Sequence, residues 1–82
     1  DYMSIMLPKR EYVVKALNQM DQSEALLLRM RWGFEDGKPM PISSLAKFFN
    51  LTQDKIMEEL RRVEYQVLML ARKLEDKAKA SS

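Results

Sequence analysis

The sequence predicts an all-α fold of about four helices, the last two forming a helix-turn-helix and the last one long. Three observations predict it. Apolar residues recur at helical spacing in several separate stretches. Residues suited to stopping and starting helices stand between those stretches: Asp21, Gly33, Asn50 and Thr52. From Gln53 to about Lys77 no glycine or proline interrupts a run rich in Ala, Leu, Glu, Lys, Arg and Met, all good helix formers.

The elements follow in order. Pro8 suits a helix's first turn, and behind it Tyr12, Val13, Ala16, Leu17 and Met20 keep helical spacing, so a helix is expected over Pro8–Met20. Asp21-Gln22-Ser23-Glu24 has the acid-x-x-Glu form of a capping box and starts a second helix. Ala25, Leu27, Leu28 and Met30 give it a broad apolar face, and Gly33 ends it. Glu35–Pro41 reads as a loop, with Asp36-Gly37 as a turn and two prolines. Ser43 or Ser44 is expected to cap a short third helix that buries Leu45, Ala46 and Phe49. Asn50 tolerates the left-handed conformation that a tight turn needs, and Thr52 caps the long last helix. The tail, 79–82, is expected to fray.

The 82 residues make one small domain, 1–82, and the opening Asp1 in place of a Met points to a piece of a longer chain. Cysteine and histidine are both absent, which removes thiolate and imidazole metal ligands, the usual general base and the Cys or Ser-His nucleophiles. With no Gly-rich phosphate loop or paired-acid arrangement either, an enzyme is not expected, nor any cofactor or metal. The 14 basic and 12 acidic residues give a formal charge of +2, too small to decide for or against nucleic acid. No apolar run reaches the ~20 residues of a membrane span, the Tyr2–Leu7 patch is too short for a signal peptide, and no membrane partner is expected.

The stretch from Leu28 through Arg31-Trp32-Gly33 and Asp36-Gly37 to Thr52 resembles the C-terminal promoter-binding domain, region four, of housekeeping-type bacterial sigma factors. That family's pattern is an acidic residue, an apolar pair, Arg-aromatic-Gly, a loop ending in Asp-Gly, Leu-x-x-Ile-Ala, a turn and a Thr cap. Glu24, Leu27, Leu28, Arg31, Trp32, Gly33, Asp36, Gly37, Ile42, Leu45, Ala46, Phe49, Leu51 and Thr52 fill those places. The resemblance implies a module of transcription initiation. Its last helix would enter the major groove of the minus-35 promoter element, and the preceding helices would dock on the RNA polymerase flap. A cytoplasmic location follows, in a bacterial nucleoid or a plastid.

The helix after Thr52 departs from the family, which shows Arg-Glu-Arg and then Arg-Gln. This chain has Gln53-Asp54-Lys55 and Met57-Glu58. Lys55 keeps a charge but not the forked bond of arginine to guanine. At about 100° per residue Ile56, Leu60 and Val63 point inward, leaving Asp54, Met57, Glu58, Arg61 and Tyr65 outward. Weak or altered promoter recognition is therefore expected. Gln53, Lys55, Glu58 and Arg61 are placed near bases, and Ser44, Lys47 and Arg62 near phosphates, with Lys38 within reach of them.

Ile56, Leu60, Val63, Val67, Leu70 and Leu74 step by 4, 3, 4, 3 and 4, a heptad seam. Either the seam packs on the first helix, or Val63, Val67, Leu70 and Leu74, with Tyr65 and Met69 on another face, bind a partner helix or a second copy. Trp32 is expected in the core, with exposure as a partner anchor the other reading. Arg31 is expected to pair internally with Glu24 or Glu35, and the seven methionines to act mainly as core filler. Two function classes stay open. One is a promoter- and polymerase-contacting module. The other is a degenerate sigma-like domain that works through protein partners, such as an anti-sigma regulator or its own copy, without reading bases.

Overall fold

The computed structural model describes residues 7–34 and 36–81. Four helices and no strand occur among them: α1 (Arg10–Gln19), α2 (Gln22–Trp32), α3 (Ile42–Phe49) and α4 (Gln53–Ala80). The expected all-α class and helix order hold. The expectations at Tyr2–Met6, Glu35 and Ser82 fall outside the described residues.

The helix ends follow the chemistry of their caps. Pro8 stands just before the cap of α1, not in its first turn, because hydrogen bonding begins at the Lys9 carbonyl, which accepts from Tyr12 and Val13. Asp21 caps α2, its carboxylate accepting from the amides of Ser23 at 2.9 Å and Glu24 at 3.3 Å. Gly33 closes α2 at φ 76°, and the amide of Phe34 reaches back to the Arg29 carbonyl at 2.9 Å. Asn50 closes α3 in the same left-handed way, at φ 55°, with Leu51 N donating to the Ala46 carbonyl. Thr52 Oγ1 accepts from Lys55 N at 3.1 Å and caps α4.

Several expectations are corrected. Neither Ser43 nor Ser44 caps α3: the cap is Pro41, whose carbonyl accepts from Ser44 and Leu45, so both serines lie inside the first turn. Arg31 does not pair with Glu24; its guanidinium donates to the Met40 carbonyl at 2.9 Å and pins the loop beneath the end of α2. Phe49 is half-buried, edge-on to an exposed Phe48 at 5.0 Å. Trp32 is likewise half-buried, packed against the core from its margin beside Phe34. α4 runs on through Lys79 and Ala80, with Lys79 one turn from Glu75 and Ser81 Oγ donating to the Lys77 carbonyl.

The core is a single apolar cluster. Ala16 and Leu17 of α1, Ala25, Leu27 and Leu28 of α2, and Leu45 and Ala46 of α3 close on Ile56, Leu60, Val63, Val67 and Ala71 of α4. The largest contact is between α1 and α4. The seam therefore packs within the chain. It also drifts: Ala71 is fully buried, whereas Leu70 and Leu74 lie at the margin. A straight helix of about 3.6 residues per turn leaves a 3.5-residue stripe behind after a few turns. Polar ties lock the outside. Arg29 donates to Asn18 at 2.8 Å, Arg10 lies 4.4 Å over the Phe34 ring, and Lys9 N donates to Glu75 at 3.0 Å.

Candidate nucleic-acid interface

The turn Asn50-Leu51-Thr52 joins α3 to α4 and sets the start of α4 in solvent. Gln53, Asp54, Lys55, Met57 and Glu58 are all exposed there, followed by Arg61 and Arg62. A helix N-terminus carries free amide donors and the positive end of the helix dipole, which favours anions. Ser44 and Lys47 stand on α3, which packs directly on α4; Lys47 is exposed and Ser44 half-buried. The structure thus gathers the expected nucleic-acid residues onto two adjoining helices.

The charges within this set are largely spoken for. Lys55 Nζ lies 3.6 Å from Glu58 and 3.3 Å from Glu59. Arg62 binds Glu59 through two nitrogens, at 2.5 and 3.2 Å, and places Nη1 2.8 Å from Glu24 of α2. That last contact is ionic more than directional: the Glu24 oxygen is cut off from solvent yet makes no aligned hydrogen bond. The Glu59 carboxyl is held below its ordinary range by the hydrogen bond from Arg62, then that from Lys55. Lys55 is shifted upward, first by its bond to Glu59 and then by the charge of Glu58. Arg62 is shifted upward by Glu59, then Glu24. The expectation puts Lys55 near bases and Arg62 near phosphates; the geometry turns both toward carboxylates. The missed signal was Glu59, which stands four residues after Lys55 and three before Arg62, spacings that put it beside both.

Among the described residues, open grooves flank α4 on two sides. One, about 250 Å³, has an apolar floor of Leu27, Phe49, Leu51, Ile56 and Val63, with Ser23, Glu24, Lys55 and Glu59 around it. The other, about 210 Å³, is lined by Arg31, Ile42, Met57, Leu60, Arg61 and Glu64. Of the residues considered for partner binding, Val63 (1% exposed) and Val67 (0%) are core, and Leu70 and Leu74 are half-buried. Tyr65 (67%) and Met69 (43%) stand in solvent. Among the described residues there is no cluster of acidic side chains able to hold a metal ion, and no helix long and apolar enough to cross a membrane.

Fold and site together define a small helix-turn-helix domain with an exposed, capped last helix. No family model matches the chain. Over 49 residues, 60% of its length, it is 33% identical to RNA polymerase sigma factor SigA of Clostridium acetobutylicum. The matched stretch is 13% of that protein, so the chain carries a sigma-factor-like segment and spans a small part of its relative's length.

Proposed function

We propose that this domain is a transcription initiation module resembling sigma factor region four. In this reading the first turns of α4 contact the minus-35 promoter element, and the helices before it dock on the RNA polymerase flap. The observation that carries it is the exposed N-terminus of α4, set by the left-handed Asn50 and capped by Thr52, in a chain with a SigA-like segment. Gln53, Glu58 and Arg61 face the bases, and Lys47 and Arg61 supply phosphate contact. Lys55 joins them only when Glu58 and Glu59 release it. The apolar groove floored by Phe49, Leu51 and Ile56 is the surface offered to polymerase. A cytoplasmic, nucleoid-associated location goes with this role.

Fluorescence anisotropy with a duplex carrying a minus-35-like hexamer, beside a scrambled duplex, tests the reading at two salt concentrations. A tenfold preference for the hexamer, about 1.4 kcal/mol, is expected. Equal binding to both duplexes would refute base reading.

A second reading is favoured by two specific observations: the carboxylates that hold Lys55 and Arg62, and the exposed Tyr65 and Met69. Here the domain acts in transcription through a protein partner, a regulator of the anti-sigma kind or a second copy, without reading bases. The contact would use the Tyr65–Met69 face, because Val63 and Val67 are committed to the core. Loss of a partner or of dimerisation on Tyr65→Ala, with DNA binding absent throughout, is the outcome that selects it.

A further inference from the structure

The first three turns of α4 hold three cations, Lys55, Arg61 and Arg62. Glu59 lies between two of them and divides its oxygens. Oε1 is 3.3 Å from Lys55 Nζ, and Oε2 takes the Arg62 guanidinium at 2.5 Å. Glu59 stands on the side of α4 that meets α2 across the apolar groove, beside Glu24. Arg62 is thereby drawn toward α2, away from the face that carries Asp54, Met57, Glu58 and Arg61, while Lys55 is shared between Glu59 and Glu58. Glu59 is only 25% exposed, whereas Glu58, the other partner of Lys55, is 68% exposed and stands farther off at 3.6 Å. The sheltered carboxylate is therefore the stronger hold.

We propose that Glu59 acts as a clasp that keeps Lys55 and Arg62 off nucleic-acid phosphate, setting the domain's nucleic-acid affinity below what its cations allow. Phosphate and carboxylate compete for the same N–H donors. The carboxylate is already in place on the helix, so a duplex must displace it before either cation can engage. Removing the Glu59 charge while keeping its shape takes the nearer carboxylate from Lys55, leaving it Glu58, and leaves Arg62 held by Glu24 alone. The inference rests on the nucleic-acid reading above.

The test is anisotropy with a random-sequence duplex between about 50 and 200 mM salt, where each added phosphate contact steepens the log–log salt dependence by about 0.9. Four variants are compared with the wild type. Glu59→Gln is expected to bind several-fold more tightly at the lower salt, with a slope steeper by about 1 to 2. Glu11→Gln makes the same charge change on the exposed surface of α1 and is expected to leave the slope unchanged. Lys55→Gln is expected to stay within twofold of the wild type, because Lys55 is clasped, whereas Arg61→Ala loses about one unit of slope. Lys55→Gln keeps the test decisive if Glu59→Gln loses its helical signal. The clasp is overturned if Glu59→Gln gains no more than Glu11→Gln, or if Lys55→Gln alone loses a full unit of slope. Wild-type binding that depends on Arg61, with no gain from Glu59→Gln, sinks the clasp alone. Absence of wild-type binding sinks the nucleic-acid reading, and a gain from Glu59→Gln would still be required of the clasp.

Discussion

Val67→Ala separates a core seam from an interface seam. Val67 is fully buried at the centre of the apolar cluster. The change deletes two methyl groups, a transfer loss of about 1.6 kcal/mol at about 0.8 per carbon. A residual cavity on the order of 40 Å³ adds about 1 kcal/mol. The expected total is about 2–3 kcal/mol, a large share of what so small a domain has to lose. With an m-value of about 1 kcal/mol/M in urea, the midpoint falls by about 2–3 M. Urea unfolding followed by circular dichroism, at protein concentrations a hundredfold apart, reads it. The packing of α1 on α4 predicts the full loss and a midpoint independent of protein concentration in both proteins. A wild-type midpoint that rises with concentration, with the rise abolished in Val67→Ala, would make the seam an interface and not a core.

Further outcomes follow from the caps and charges. Gly33→Ala would set a Cβ 2.7 Å from Pro39 N and 2.8 Å from Lys38 C, at φ 76°. It should therefore cost clearly more in urea stability than Gly37→Ala, which has the same φ and open space around it, strained by about 1–2 kcal/mol; equal losses would contradict the close approach. Thr52→Ala removes the α4 cap and should cost about 1 kcal/mol, checked by the same unfolding experiment, while an unchanged midpoint would deny the cap a role. The carboxyls of Asp21, Glu59 and Glu75 are all held below their ordinary range. Hydrogen bonds do this: from Ser23 and Glu24 to Asp21, from Arg62 and Lys55 to Glu59, and from Lys9 to Glu75. Their stabilisation is full above the unfolded values near pH 4 and is lost as pH falls through the lower folded ones. Melting temperature should drop on acidification below about pH 4, and a flat or rising profile would contradict the bonds.

The parts of the fold that local chemistry dictates were legible in the sequence. Gly33, Asn50, Asp21 and Thr52 each end or start a helix for reasons contained within a few neighbouring residues, and each does so in the structure. The inward face of α4 was legible too, because Ile56, Leu60 and Val63 follow helical period. What escaped depends on contacts between elements. Ser43 and Ser44 looked like caps because nothing local reveals that the Pro41 carbonyl already receives their turn's amides. Arg31 looked paired with Glu24, but Glu24 faces Arg62 of α4, thirty-eight residues away in sequence, and the loop carbonyl of Met40 was nearer to Arg31. The same blindness hid the network at the candidate site. Lys55 and Arg62 were read by charge alone, and their availability is decided by Glu59 and by the approach of α2. The seam's end at Ala71 in place of Leu70 reflects helix geometry accumulated over several turns, which a strict heptad does not follow.

Contact between α4 and promoter DNA is tested by a nuclear magnetic resonance titration of the isotopically labelled domain with a minus-35-like duplex, reading backbone amide shifts residue by residue. A promoter-contacting α4 predicts that the largest changes fall on Gln53–Arg61 and on Ser44 and Lys47. Shifts confined to the Tyr65–Met69 face, or none at all, would contradict it.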